Sequence, residues 1–251
     1  MTKKYRTPDG YTADIAVFTI VTEESKPFTP PDMSLNLLLI ERAKWNAEGE
    51  LNTEGGKWAL PGGFVGVHEN ALQAAVRELK EETGIDCVHM KHFGIYDEPG
   101  RDNRGWIISN AHYAIISEDD LREMNANDDA SAVKLVNIHD VLQLELAFDH
   151  RQIICDALSV IKKELLQTTA AKNLLQDEFT YSELQAVLST VTKDPAILNE
   201  QAFARKIKSL PFIEKVEGKT TQRTSKKATQ LYRFNEVEVV KPIYTGRYQE
   251  R

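Results

Sequence analysis

The 251-residue chain contains two cysteines, Cys87 and Cys155, far apart and in no CxxC pattern. That scarcity excludes a disulfide framework and a cysteine zinc site, and it fits reduced thiols in the cytoplasm. Long apolar runs are missing as well. The longest stretches, "DIAVFTIV" and "LNLLLI", are far too short to span a bilayer, so no membrane partner is expected. The opening "MTKKYRTPDGYTADIAVF" lacks the continuous apolar core of a signal peptide, because an aspartate breaks it early. None of the six histidines lies in an HExxH or similar metal spacing, and there is no internal repeat or low-complexity tract.

What is present belongs to a globular chain: 27% charged and 41% hydrophobic residues. The net charge of −7 is unevenly divided, with −11 over residues 1–171 and +4 over 172–251. This asymmetry suggests two modules with different partners, although halves of ordinary proteins also differ by several charges. "ADIAVFTIV" and "SLNLLLIER" read as buried strands joined by the loop "TEESKPFTPPDM", and "KWALPGGFV" as a short strand broken by Pro61-Gly62-Gly63. "VHMKHFGIY" and "WIISNAHYAII" read as further strands, and "HRQIICDALSVIKKELL" as a helix. The small, polar "QTTAAKN" is a candidate linker. Beyond it, "TYSELQAVLSTV" opens on a capping box of Thr180 and Glu183, "NEQAFARKIKSL" is a short amphipathic helix, and "FIEKVEG…TQLYRFN" reads as two strands around a basic loop. The expected organisation is an α/β domain over 1–166, a linker over 167–171 and a small α+β domain over 172–251.

The most informative stretch is "GGFVGVHENALQAAVRELKEETGI", residues 62–85. Asn70 with Gln73 can cap a helix, Gly84 can end it, and Ala71, Leu72, Ala75, Val76 and Leu79 supply an apolar face. Glu78, Glu81 and Glu82 then crowd onto another face, where like charges weaken a helix unless water screens them or a cation sits among them. Such a cluster on a rigid helix suits a hard divalent cation, Mg2+ or Mn2+, that shares ligands with a phosphorylated substrate. Arg77 lies one turn before Glu81, within reach of an ion pair.

These residues resemble the Nudix box, G-x5-E-x7-R-E-U-x-E-E-x-G-U with U aliphatic. Every position matches: Gly63, Glu69, Arg77, Glu78, Leu79, Glu81, Glu82, Gly84 and Ile85. Seven fixed identities at about one in twenty each make a chance match on the order of one in a million or rarer. The resemblance implies an α/β/α sandwich around a mixed sheet and hydrolysis of a nucleoside diphosphate linked to another group. It makes Glu78, Glu81 and Glu82 metal ligands and catalytic residues, with Arg77 orienting them. It also makes Glu69 a support for the loop, and Gly62 and Gly63 carriers of backbone carbonyls near the metal.

Substrate-binding candidates lie outside the box. Arg101 and Arg104 in "DEPGRDNRGW" suit a diphosphate, or form an exposed charged turn. In "AFDHRQII", Phe148 can stack on a base, and His150 can touch a sugar or phosphate or serve as a cap or core residue. With "WALPGGFV", "AFDH" and the C-terminal segment, nearly the whole chain resembles ADP-ribose pyrophosphatase-like Nudix proteins that carry a C-terminal winged helix. That group includes transcriptional regulators, several of which have a damaged box; this box is intact. The resemblance further implies a homodimer and a catalytic base outside the box, for which Asp128 and Asp129 in "NANDDASAV" are candidates.

The basic module has its own physical reading. Two helices and a hairpin fit a winged helix-turn-helix, with a net +6 over residues 199–233. Gln201, Arg205 and Lys208 can face outward, opposite Phe203 and Ile207, while Arg223, Lys226 and Lys227 crowd the wing. Such residues suit double-stranded DNA, although winged helices also serve as protein-contact modules. Three functions therefore stand open: a Mg2+-dependent hydrolase of ADP-ribose yielding AMP and ribose 5-phosphate, an ADP-ribose-sensing DNA-binding regulator, and a hydrolase of other nucleoside diphosphate derivatives.

Overall fold

A computed structural model describes residues 6–23, 26–45, 49–86, 89–117, 120–121 and 133–235. Asp128 and Asp129 lie outside the described residues. The chain divides into two compact units, Met1–Phe18 with Asn36–Leu158, and Thr19–Leu35 with Ser159–Arg251. The grouping of residues 19–35 with the C-terminal part is announced by no change of composition. No helix among the described residues is long and apolar enough to cross a membrane.

The first unit is built on β1 (Gly10–Thr22). Ala13, Ile15, Ala16, Val17 and Phe18 are fully buried. A strand buried on both faces needs apolar side chains in succession, which is why the sequence shows a run there rather than an alternation. The mixed sheet runs β3 (Trp58–Ala59), β2 (Met33–Glu41), β1, β6 (Ile107–Ile115), β5 (His89–Tyr96), with β4 (Gly62–Phe64) on β1 and β7 (Val133–Asn137) on β2. β1 and β6 are parallel, with Gly10 opposite Ile107 and Phe18 opposite Ile115; β4 pairs antiparallel to β1, with Asp14 opposite Gly62. The stretch "KWALPGGFV" thus makes two strands, because Pro61 and Gly62 turn the chain between them. β7 has only five residues, too few for a clear alternation, and the sequence did not reveal it.

Helix α1 (Ala71–Thr83) is capped as expected: Asn70 and Gln73 form a reciprocal capping box, and Gly84 ends the helix at φ 74° with its N–H on the Lys80 carbonyl. Its buried face is Ala74, Ala75, Leu79 and Thr83, packed against Ala13, Ile15, Val17, Leu38, Ala114 and Ile116. The buried face is rotated slightly from the expected one: Leu72 is 45% exposed, and Ala74 takes the inward position. Successive β1 side chains alternate, so Asp14 points away from α1, toward the start of α2 (His150–Gln167).

In the second unit, α3 (Tyr181–Ser189) begins at the predicted Thr180–Glu183 capping box. α4 (Pro195–Leu198), a single turn capped by Asp194, and α5 (Glu200–Lys206) follow. Four residues are too few to show a helical period, so α4 reads as a turn in the sequence. β8 (Ile213–Thr221) and β9 (Thr229–Phe234) form the hairpin; Lys219–Thr221, expected in the loop, extend β8. Phe179 adds a third short pairing through reciprocal backbone bonds with Tyr232. Residues 167–171 are packed locally: a 3-10 turn spans Ala170–Leu174, with Ala170 and Ala171 buried.

Leu79 is completely buried in the α1–sheet core. Leu79→Ala should lower the stability of the first unit by about 2–5 kcal/mol, from lost burial plus the cavity left behind. Urea unfolding followed by tryptophan fluorescence checks this, since all three tryptophans lie in that unit.

Candidate active site and basic module

Arg77 projects from the middle of α1 into the preceding loop. Its Nε and Nη2 donate to the two Glu69 carboxylate oxygens at 3.1 and 2.6 Å. Nη1 donates to Glu78 at 2.7 Å and Glu81 at 3.0 Å, and Nη2 also donates to the Phe64 carbonyl at 3.1 Å. Glu69 in turn accepts the Gly66 N–H at 2.8 Å. The Glu69 and Glu78 carboxylates hold the Arg77 pKa far above its ordinary value, and Arg77 holds Glu69 below the usual carboxylate range.

Glu82 points the other way along the same helix face, accepting the Gly62 N–H at 2.8 Å. Burial pushes its carboxyl up to about 7, against that N–H bond, with the Glu78 and Asp14 charges adding to the rise. Gly62 sits at φ 151°, and a Cβ there would collide with the Ala13 carbonyl; a Cβ on Gly63 would collide with the Glu78 carboxylate. Both glycines therefore let the loop approach closely. The donor set, carboxylates and backbone carbonyls, has the chemistry of a hard-cation site, and a cation would offset the charge that raises Glu82. Among the described residues no three such donors stand together as a ready cage, because Arg77 engages Glu78 and Glu81.

Beside the glycines opens a cleft of about 400 Å3, counting its open mouth, lined by Asp14, Arg42, Phe64, Arg104, Phe148 and His150 among others. The guanidiniums of Arg42 and Arg104 each lie 4.8 Å from the Phe148 ring centre. Phe148 holds this place at φ 49°, an unusual backbone for an aromatic residue. Burial, and then the Arg104 charge, depress the Arg42 pKa. Two like charges on one ring are a site for an anion. Arg104 is braced by Asp102, its Nη2 donating at 2.7 Å.

The other two expected substrate residues also line the cleft but are engaged within the fold. The Arg101 side chain is only 4% exposed and forks onto Asp149 at 2.7 and 2.6 Å. His150 is buried, and its Nδ1 accepts the Leu60 N–H at 2.9 Å. Asp14 and Arg42 were not singled out from sequence. Asp14 hides inside an apolar strand, and Arg42 reads as an ordinary strand-end charge; only the fold brings either to the cleft.

In the basic module, Gln201, Arg205 and Lys208 are exposed, opposite the buried Phe203, Ile207 and Leu210. Lys226 and Lys227 are exposed at the hairpin tip. Arg223 differs from them: it donates to both Glu183 oxygens at 2.7 Å and to the Glu178 carbonyl at 2.8 Å, fastening the wing to the start of α3.

The NUDIX domain family matches residues 13–157, and the NrtR DNA-binding winged helix domain matches residues 171–234. An ADPR-responsive transcriptional repressor, NtrR, of Acinetobacter baylyi is 27% identical over 86% of this chain and 82% of its own length. An ADP-ribose pyrophosphatase of Methanocaldococcus jannaschii is 41% identical over 40% of this chain and 57% of its own length. The crystal structure of Shewanella oneidensis NrtR complexed with a 27mer DNA superposes with a TM-score of 0.69 at 26% identity, over 90% of this chain and 93% of that one.

Burial holds the His150 pKa below its ordinary value, with the Asp14 and Asp149 charges opposing and the Arg101 and Arg42 charges adding. The unfolded histidine takes up its proton near pH ~6.5. The stability from burying it neutral is complete above that pH and is lost as pH falls through the folded pKa. His150→Asn keeps an acceptor for Leu60 but does not titrate. Its melting temperature should therefore fall less than that of the wild type between pH 7 and pH 5, which scanning calorimetry across that range measures.

Proposed function

The chain belongs to the NUDIX domain family, with an NrtR-type winged helix after the Nudix domain, and from that premise we propose that it is an ADP-ribose-responsive DNA-binding protein that also hydrolyses its ligand. The observation that carries the sensing half is the likeness to an ADPR-responsive repressor across both modules, 86% of the chain. The hydrolytic half rests on the complete carboxylate set around Arg77. In this reading residues 1–166 form the hydrolase domain and 172–251 the DNA-binding domain, joined by 167–171. A homodimer would present two α5 helices to a two-fold DNA site.

Arg42 and Arg104 bind the diphosphate, and Phe148 holds both guanidiniums in place. Glu78, Glu81, Glu82 and the Gly63 carbonyl would hold Mg2+ or Mn2+, which when bound neutralises charge on the diphosphate and acidifies a water. Arg77 keeps Glu69, Glu78 and Glu81 in register and would yield Glu78 and Glu81 to such a cation. AMP and ribose 5-phosphate are the products of attack on the diphosphate of ADP-ribose. A purely sensing domain is the second reading, favoured by the likeness across both modules to a transcriptional repressor.

Glu82→Gln separates the two halves. It should lower ADP-ribose turnover by orders of magnitude, through loss of a metal ligand, yet retain binding at the arginines. DNA anisotropy should then show a persistent shift with ADP-ribose in the variant and a transient one in the wild type. A shift of about 5–150-fold in affinity is expected of ordinary coupling. Superimposed DNA curves, with ADP-ribose binding demonstrated, would remove the sensor function. Wild-type protein with no cation-dependent hydrolysis of any nucleoside diphosphate derivative would remove the enzyme.

Arg205→Ala should weaken DNA binding more than Lys172→Ala, because Arg205 is exposed on α5 whereas Lys172 belongs to the 3-10 turn before α3. The log–log dependence of affinity on salt should also lose about one unit of slope if Arg205 meets a phosphate. Anisotropy titrations at several salt concentrations distinguish the two variants.

A further inference from the structure

Among the cations that line the cleft, Asp14 is a carboxylate that no arginine or lysine clamps with a hydrogen bond. This side chain is nine-tenths buried and lines the cleft. Its Oδ2 accepts the Ser109 hydroxyl and stands 3.7 Å from Arg101. Oδ1 has no hydrogen bond among the described residues; the side-chain nitrogen facing it is His150 Nε2, 3.8 Å away. His150 accepts the Leu60 N–H at Nδ1, so in its neutral form the proton is on Nε2. A donor and an acceptor on two largely buried residues, too far apart to bond to each other, thus stand at the lining of the cleft.

A hydroxyl group fits that pair, since it donates to Asp14 Oδ1 and accepts from His150 Nε2–H at once. An ionised phosphate does not, because it offers acceptors alone and brings negative charge against a buried carboxylate. We infer that Asp14, with His150, is a specificity-determining pair that accepts a hydroxyl of the terminal sugar and rejects a terminal phosphate. The site thereby selects nucleoside diphosphate sugars over nucleoside triphosphates. This inference rests on the proposed ADP-ribose site and assigns its sugar end to residues outside the Nudix box.

A site built to satisfy a hydroxyl discriminates strongly, because without it buried polar groups stay unpaired. Calorimetric titration of the full chain with ADP-ribose and with ATP, first in EDTA and then with Ca2+, reads this directly. The wild type should prefer ADP-ribose by at least tenfold. Asp14→Asn, which keeps the shape and loses the charge, should shrink that preference by at least tenfold, chiefly by tightening ATP. An unchanged preference in a folded variant would overturn the assignment of Asp14 alone. If Asp14→Asn does not fold, the wild type answers by itself: β-methyl ADP, which has no terminal sugar and no third phosphate, should bind at least tenfold more weakly than ADP-ribose. Equal affinity for those two overturns the inference. Failure of the wild type to bind ADP-ribose under either condition overturns the proposed ligand and this inference with it, and it is seen before any variant is made.

Discussion

The Arg77 guanidinium donates to three carboxylates and one carbonyl from a single position on α1. Without it, Glu78 and Glu81 would repel each other across less than one helical turn, and the loop 62–69 would lose the ties of Phe64 and Glu69 to the helix. With it, the loop closes on Glu69, and Gly63 can rest against Glu78. The position of Gly62 then follows, because β4 pairs with β1 and brings Gly62 opposite Asp14. The cleft and the carboxylate face are thus joined through the turn at Gly62 and Gly63. A lysine could not replace it, since one ammonium cannot present a fork to Glu69 while also reaching Glu78 and Phe64.

The legible parts of the protein are those whose physics is local. The α1 capping box, the Gly84 stop and the glutamate face all follow from spacings of three and four residues, and each is readable in the order of the amino acids alone. The same holds for the Thr180–Glu183 box that starts α3. Asp14 and Arg42 were not legible, for a reason the strands make plain. Asp14 meets Gly62 across 48 positions of sequence and Ser109 across 95. A lone aspartate in an apolar run announces a buried polar group, but not the partner that satisfies it. The small errors have similar causes. The apolar set of α1 did not separate Leu72 from Ala74, since the two differ by which neighbour is present rather than by hydrophobicity.

Charge in the basic module also divides by structure rather than by composition. Arg223 counts toward the positive total, yet its guanidinium is paired with Glu183, the N3 residue of the α3 capping box. One glutamate therefore caps the helix and holds the wing, which ties wing position to the integrity of the α3 start. Lys226 and Lys227 at the tip, and Arg205 and Lys208 near α5, are exposed and differ from Arg223 in not being clamped to a helix start. The unpaired positive charge of the module is accordingly smaller than the +6 read from residues 199–233.

In the proposed reading, a receptor that destroys its ligand is consistent only if recognition and cleavage draw on largely separable parts of the site. Arg42, Arg104 and Phe148 stand on loop and turn positions outside the Arg77 network, whereas in the proposed reading a bound cation would compete with Arg77 for Glu78 and Glu81. Ligand occupancy is then set by a ratio of rates. When release is faster than cleavage, occupancy follows the dissociation constant; when cleavage is faster, occupancy drops below it. A guanidinium held by five hydrogen bonds favours the first case, because opening the network precedes the chemical step. In the proposed reading the clamp prolongs the bound state, and a linkage between ligand and DNA further requires that ADP-ribose bind the DNA-free and DNA-bound forms with different affinity.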